Sequence, residues 1–275
     1  MAQPAVISGL LLATVGAVTS LASQNSPPAQ GRDASSLIQQ VRAALGVDRA
    51  GPIDSLMLAG NCRPQTGPLS SGDFEFRLAL PDRYVTLNRY DGVDGMVGMR
   101  LDGNRFSFIG ADRESLLTKE DADAVNAYHL AGLRREATRL AFALLLTDRT
   151  AVPVKFAYAG RARVPGGEAE TVDLVWGEKL SARLFIHATT KVPLSMLFEE
   201  MAIARRAPPS SFEELKPSMP TWEKVEQKLL FGDYRRVKGV LFPHTFTLEN
   251  AGPRSASHRV TSLKFNEREI LDAFR

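Results

Sequence analysis

The 275-residue chain has a single cysteine, Cys62, so no intramolecular disulfide can hold it together. Its four histidines, His129, His187, His244 and His258, lie far apart and never fall at zinc-ligand spacing with that cysteine. A glycine-rich phosphate loop and a G-x-S-x-G nucleophile elbow are also missing. No metal, nucleotide cofactor or other cofactor is therefore expected. Charge of either sign is not in excess: 34 basic and 31 acidic residues leave a net +3. The basic pairs are scattered, with Arg134-Arg135 and Arg205-Arg206 reading as solvated surface, and no basic stripe interleaves with aromatics. Nucleic acid is accordingly excluded as a partner. The chain also lacks alternating strand and helix patterns, which argues against a parallel sheet. What remains, 44% hydrophobic and 24% charged, is the composition of an ordinary globular protein.

Residues 1–22 carry no charge, and 5–21 are apolar or small almost throughout. Ser20 and Ala22 place small residues where a signal peptidase cuts, and the polar, proline-interrupted stretch 23–32 follows as a disordered linker. A cleaved signal peptide over 1–22 and a periplasmic or otherwise exported domain over 33–275 are expected. The positive n-region is missing, and retention as an N-terminal anchor is the alternative. Leu58-Ala59-Gly60-Asn61 before Cys62 faintly resembles a lipoprotein attachment box, but about forty residues too deep, so Cys62 reads as a half-buried strand residue.

Residues 33–47 predict a short helix, with Asp33, Ser35 or Ser36 as cap, Leu37, Val41 and Leu45 on one face, and Gly46 as stop. From residue 53 the period becomes two. Strands are predicted over 53–62, 73–80, 84–89, 95–101 and 105–109. A helix follows over 122–146, apolar nearly all round in its final third and hence buried. Strands return over 154–164, 169–176, 180–188 and 194–200. Residues 205–221, with four prolines, read as a long loop. The last strand, 258–266, has Val260 out of phase with Leu263 and Phe265, which predicts a bulge, and a short terminal helix ends the chain. The fold class is α+β: one strongly curved antiparallel sheet, a half-open barrel with helices on its concave side. A sheet of about ten strands must curl or close.

The most informative stretch is 225–250. It reads as two strands around the two-residue turn Lys238-Gly239, where glycine supplies the positive φ such a turn needs. That register sets Leu229 against Leu248, Phe231 against Phe246, Asp233 against His244, and Arg235 against Phe242. One face thus collects Phe231, Phe242, Phe246 and Leu248 together with Asp233, Arg235 and His244. Charges on an apolar face are costly unless paired or near water, so these three belong at a rim or a cavity mouth. They serve as a structural cluster ending the core, or as a polar mouth in which Arg235 meets an anionic or carbonyl head group. A general-base pair of Asp233 and His244 is the third option, though no nucleophile stands nearby in sequence.

The run Phe231-Gly232-Asp233-Tyr234-Arg235-x-Val237-x-Gly239-Val240-x-x-Pro243, followed by Asn266, Ile270 and Phe274, resembles the C-terminal signature of the LolA/LolB-like superfamily of periplasmic outer-membrane lipoprotein-sorting proteins. Leu80-Pro81-Asp82-Arg83-Tyr84 is similar to a strand end found in its bacterial members. Leu184-x-x-His187-x-x-Thr190-x-x-Pro193 is similar to a hairpin that usually carries aspartate where His187 stands. The resemblance implies helices inside a half-open barrel, an apolar cavity for lipid or lipoprotein acyl chains, and a monomeric carrier without enzymatic activity. An envelope protein-interaction or signalling module on the same fold is the alternative, and a hydrolase a more distant one.

Overall fold

The computed structural model describes residues 33–64, 72–89, 95–110, 119–150, 152–177, 179–203, 222–250 and 256–274. The expected signal peptide and linker over 1–32, and the whole of the proline-rich loop 205–221, lie outside the described residues.

Helix α1 (Ala34–Leu45) begins where the Asp33 side chain accepts the Ser35 N–H and ends at Gly46, left-handed at φ 81°. Five strands follow: β1 (Ser55–Pro64), β2 (Gly72–Ala79), β3 (Arg83–Asn88), β4 (Val97–Asp102) and β5 (Arg105–Ile109). Helix α2 (Lys119–Leu140) continues into a single π-helical turn, Ala141–Leu145. The chain then forms β6 (Val154–Val164), β7 (Gly167–Trp176), β8 (Lys179–His187), β9 (Pro193–Ile203), β10 (Trp222–Val237), β11 (Val240–Asn250) and β12 (Ala256–Phe265), and ends in α3 (Arg268–Asp272).

Among the described residues, all twelve strands join one sheet in the order β5-β4-β3-β2-β1-β12-β11-β10-β9-β8-β7-β6. Each described pairing is antiparallel. Two meanders meet at the β1–β12 pair. The sheet is open, with β5 and β6 at its edges, and α2 lies on the path between those two edges.

The bulge expected near Val260 is present: Ala59 pairs with Ser262 but Gly60 with Val260, leaving Thr261 as the extra residue. That one insertion lets Val260 and Phe265 both reach the core.

A large core unites α1 (Leu37, Ile38, Val41), α2 and its π-turn (Leu133, Ala137, Phe142) and one face of the sheet (Leu56, Phe74, Leu184, Met196, Phe242). Of the run that the periodicity marked as apolar nearly all round, Leu140 to Leu146, Leu140 is half-buried and the six residues that follow it are buried. Arg42 of α1 donates from Nη1 to the carbonyls of Leu145 (3.1 Å) and Leu146 (3.5 Å), partners for the acceptors a helix end leaves open.

α3 lies elsewhere. Phe274 packs with Ala79 and Val85, residues adjacent in sequence to the inward-facing Leu78 and Tyr84 and therefore on the opposite face of the sheet. The terminal helix thus packs on β1 and β2, with Phe274 just beyond it reaching Val85 of β3 on the back of the sheet, rather than joining α1 and α2.

Candidate functional site

The β10–β11 hairpin has the register its sequence predicts, with Leu229 opposite Leu248, Phe231 opposite Phe246, Arg235 opposite Phe242 and Val237 opposite Val240. Lys238 and Gly239 form the turn at φ 48° and 87°. Phe231, Phe242 and Phe246 are buried and Leu248 is half-buried. The Phe231 and Phe246 rings meet edge to face at 6.0 Å, and Phe242 lies 5.8 Å from Phe265.

The three polar residues part company. The ladder pairs Gly232 with Thr245 and Tyr234 with Pro243 but omits Asp233 and His244 between them. Asp233 is left-handed at φ 49°, a conformation aspartate tolerates better than most residues. His244 is buried, 8% exposed, and its Nδ1 lies 3.1 Å from the Phe242 carbonyl, which makes that nitrogen the donor. Asp233 and Arg235 instead form an exposed two-pronged pair, Nε to Oδ1 at 3.0 Å and Nη2 to Oδ2 at 2.6 Å. The hydrogen bond from Arg235 holds the Asp233 carboxyl below its usual range, with smaller help from His244 and Arg259.

A second polar group, hidden from the sequence reading, lies on the face that α2 covers. Tyr84 of β3 is fully buried and donates its hydroxyl to Glu136 Oε1 at 2.9 Å. Burial, and next the Glu136 charge, push this phenol well above its ordinary value. One turn along α2, Arg139 is only 4% exposed. Its Nε donates to the Arg135 carbonyl at 3.3 Å, and its guanidinium carbon stands 4.1 Å above the Phe198 ring of β9. His258 of β12 shares this face, 5.0 Å from Phe74 and 6.1 Å from Phe76, and burial lowers it to about 4, so it is neutral near pH 7.

Glu136 and Arg139 flank the apolar residues Leu133, Ala137 and Leu140 at helical spacing. The sequence reading singled out neither, and it is the sheet opposite that buries Arg139. Arg134, read as solvated surface, is half-buried, and its Nη2 donates to the Gly103 carbonyl at 3.3 Å and to Asn104 Oδ1 across the β4–β5 turn.

Another buried charge, Glu170 of β7, pairs with Lys191 in the β8–β9 turn. His187, which begins that turn, accepts the N–H groups of Thr189 (3.2 Å) and Thr190 (3.1 Å) at its Nδ1. Tyr234 donates to the Pro193 carbonyl at 2.7 Å, tying β10 to the same corner.

Among the described residues, no three His, Cys, Asp or Glu side chains converge as metal ligands. No described helix is long and apolar enough to cross a membrane. Cys62 is half-buried on β1, and burial raises its thiol.

No protein-family profile matches the chain, and no curated protein matches it in sequence. Similar solved structures include a LolA superfamily protein from Nitrosomonas europaea, 8% identical at a TM-score of 0.47, covering 86% of this chain and 95% of that one. A DUF1329 family protein from Desulfovibrio piger is 8% identical at 0.43, with coverage of 86% and 95%. The MucA/MucB complex of Pseudomonas aeruginosa includes a chain 11% identical at 0.24, with coverage of 86% and 100%. The first bears the name of the superfamily that the sequence motifs resemble.

Proposed function

We propose that this chain is an exported, non-enzymatic carrier that shelters the acyl chain of a lipid or lipoprotein between its sheet and α2. The observation that carries this reading is a mismatch of lengths. His129 of α2 stacks on Phe106 of β5 at 5.0 Å, and Phe142, at the end of the same helix, stacks on Phe156 of β6 at 5.1 Å. The two positions are thirteen residues apart (142 minus 129), about 20 Å of helix at ~1.5 Å per residue. The strands they touch are eleven steps apart in the sheet order, about 53 Å on a flat sheet at ~4.8 Å per strand. A flat sheet leaves those contacts out of reach; one curled around the helix brings both edges to it.

The concave side of such a sheet is apolar on strand after strand, and its helices leave part of it open to water. Phe76, Met99, Phe106, Phe156, Phe198 and Leu229 pack against the core while remaining only half-buried. An acyl chain laid there gains about 0.8 kcal/mol per methylene removed from water. The site residues Phe231, Phe242, Phe246 and Leu248 form part of that wall, with Asp233 and Arg235 at its exposed rim and His244 behind it.

Displacement of a fluorescent fatty-acyl probe by fatty acids of increasing length tests the proposal. Each added methylene is expected to tighten binding about fourfold until the cavity is filled. Leu229→Glu, at a half-buried wall position, is expected to weaken binding at least about tenfold in a protein that still melts cooperatively. Absence of probe binding, or affinity indifferent to chain length, removes the carrier and leaves the envelope protein-docking alternative.

A further inference from the structure

Strand β6 closes one side of the sheet. Among the described residues it pairs with β7 alone, so the outward backbone N–H and C=O groups of an eleven-residue strand meet no neighbouring strand. The opposite edge, β5, has only five residues. Side chains alternate along β6 as far as Ala159, the extra residue between the Tyr158–Val172 and Gly160–Thr171 pairs, where Gly160 takes a φ of 102° that favours glycine.

The bulge resets the alternation. Phe156 and Tyr158 stand opposite Leu174 and Val172, and Arg161 and Arg163 opposite Glu170 and Glu168; those four β7 residues lie two apart along one face. That face of the edge therefore carries two aromatics and then two cations. Phe156 and Tyr158 are half-buried against the core, whereas Arg161, Arg163 and also Lys155 are exposed. Of the three acids on β7, Glu170 pairs with Lys191 and Asp173 with Arg183, which leaves Glu168 beside three cations. Positive charge on an edge opposes pairing with a second copy of that edge and favours a strand of opposite charge.

We propose that β6 is a docking edge that takes up, by strand addition, an extended acidic segment of a partner protein. The segment carries carboxylates at alternate positions to meet Arg161 and Arg163, and apolar side chains at alternate positions to meet Tyr158 and Phe156. Backbone hydrogen bonds supply the pairing, and the alternating side chains supply the selectivity. The inference does not depend on the carrier reading.

The test titrates the full chain against a labelled peptide in which two glutamates and then two valines alternate with threonines. This peptide is expected to bind about tenfold more tightly than one of the same composition with its glutamates adjacent, and to slow amide hydrogen exchange in β6. Arg161→Glu/Arg163→Glu, at two exposed positions, is expected to weaken binding at least about tenfold and to turn the preference toward the same peptide with lysines for glutamates. Should that variant fail to melt cooperatively, Arg161→Gln/Arg163→Gln is expected to show the same loss without the reversal. Equal binding of the alternating and rearranged peptides, no binding of either, or an unchanged affinity in a folded variant overturns the proposal. Exchange protection that falls outside β6 overturns it as well. So does binding to phosphatidylglycerol vesicles with neither peptide bound, which would make the cations a membrane contact. Each of these outcomes leaves acyl-probe binding to be judged separately.

Discussion

His187 ends β8, and its Nδ1 accepts the N–H groups of both Thr189 and Thr190. An aspartate at the start of a turn makes the same two bonds through a carboxylate oxygen, so the histidine stands in for the residue usual in the hairpin that this sequence resembles. The substitution preserves the turn because its requirement is an acceptor of the right reach, not a charge. His187→Asp is accordingly expected to leave the melting temperature within a few degrees of wild type. His187→Ala removes the acceptor from both amides and is expected to cost about 1 kcal/mol. Denaturant melts of the two variants check this, and equal losses in both would show that the turn holds without that acceptor. Asp233 makes the complementary point. Its register was legible, whereas its left-handed backbone and its pairing with Arg235 instead of His244 came from the folded strand.

At the scale of elements, the junction of the two meanders depends on β1 and β12. The extra residue Thr261 throws the β12 backbone toward its partner, and a Cβ built on Gly60 would stand 1.9 Å from the Arg259 carbonyl oxygen. Backbone cannot withdraw from such a clash as the tip of a long side chain can. Gly60→Ala is therefore expected to destabilise the protein by about 2 kcal/mol or more, with the largest rise in amide hydrogen exchange in β1 and β12. A melting temperature equal to that of wild type would show the junction to be looser than its geometry implies. The bulge itself was readable, because Val260 breaks the period that Leu263 and Phe265 keep. The glycine facing it was not, since nothing local in Leu58-Ala59-Gly60 names the strand that approaches.

For the whole molecule, the half-buried His258 links stability to acidity. Burial lowers it from the usual 6.5 to about 4, so an unfolded chain takes up its proton before the folded one does. Its effect is absent above pH 6.5, grows as pH falls from there toward 4, and then levels, opposing the folded state throughout that window. The full loss is about 3 kcal/mol. His258→Phe, which keeps a flat ring among Phe74 and Phe76, is expected to flatten the stability profile between pH 6.5 and 4 in denaturant melts. An unchanged slope would mean that other groups set the acid limb.

The sequence by itself determined whatever depends on neighbours along the chain. It set the faces of the strands, the β10–β11 register through a two-residue turn, the stop of α1 at Gly46, and the buried end of the long helix, while leaving Asp33, Ser35 and Ser36 open as the cap that the structure assigns to Asp33. Each follows from a period of two or 3.6 and from backbone conformations that few residues accept. Only the tertiary structure decided that β12 pairs with β1, that α3 covers the back of the sheet, and that Tyr84 meets Glu136 and Arg139 meets Phe198 where α2 packs on the strands. Those four come from β3, α2 and β9, whose approach no local period encodes. A polar side chain beside an apolar stripe looks the same in sequence whether water or another strand lies across from it, and here a strand does.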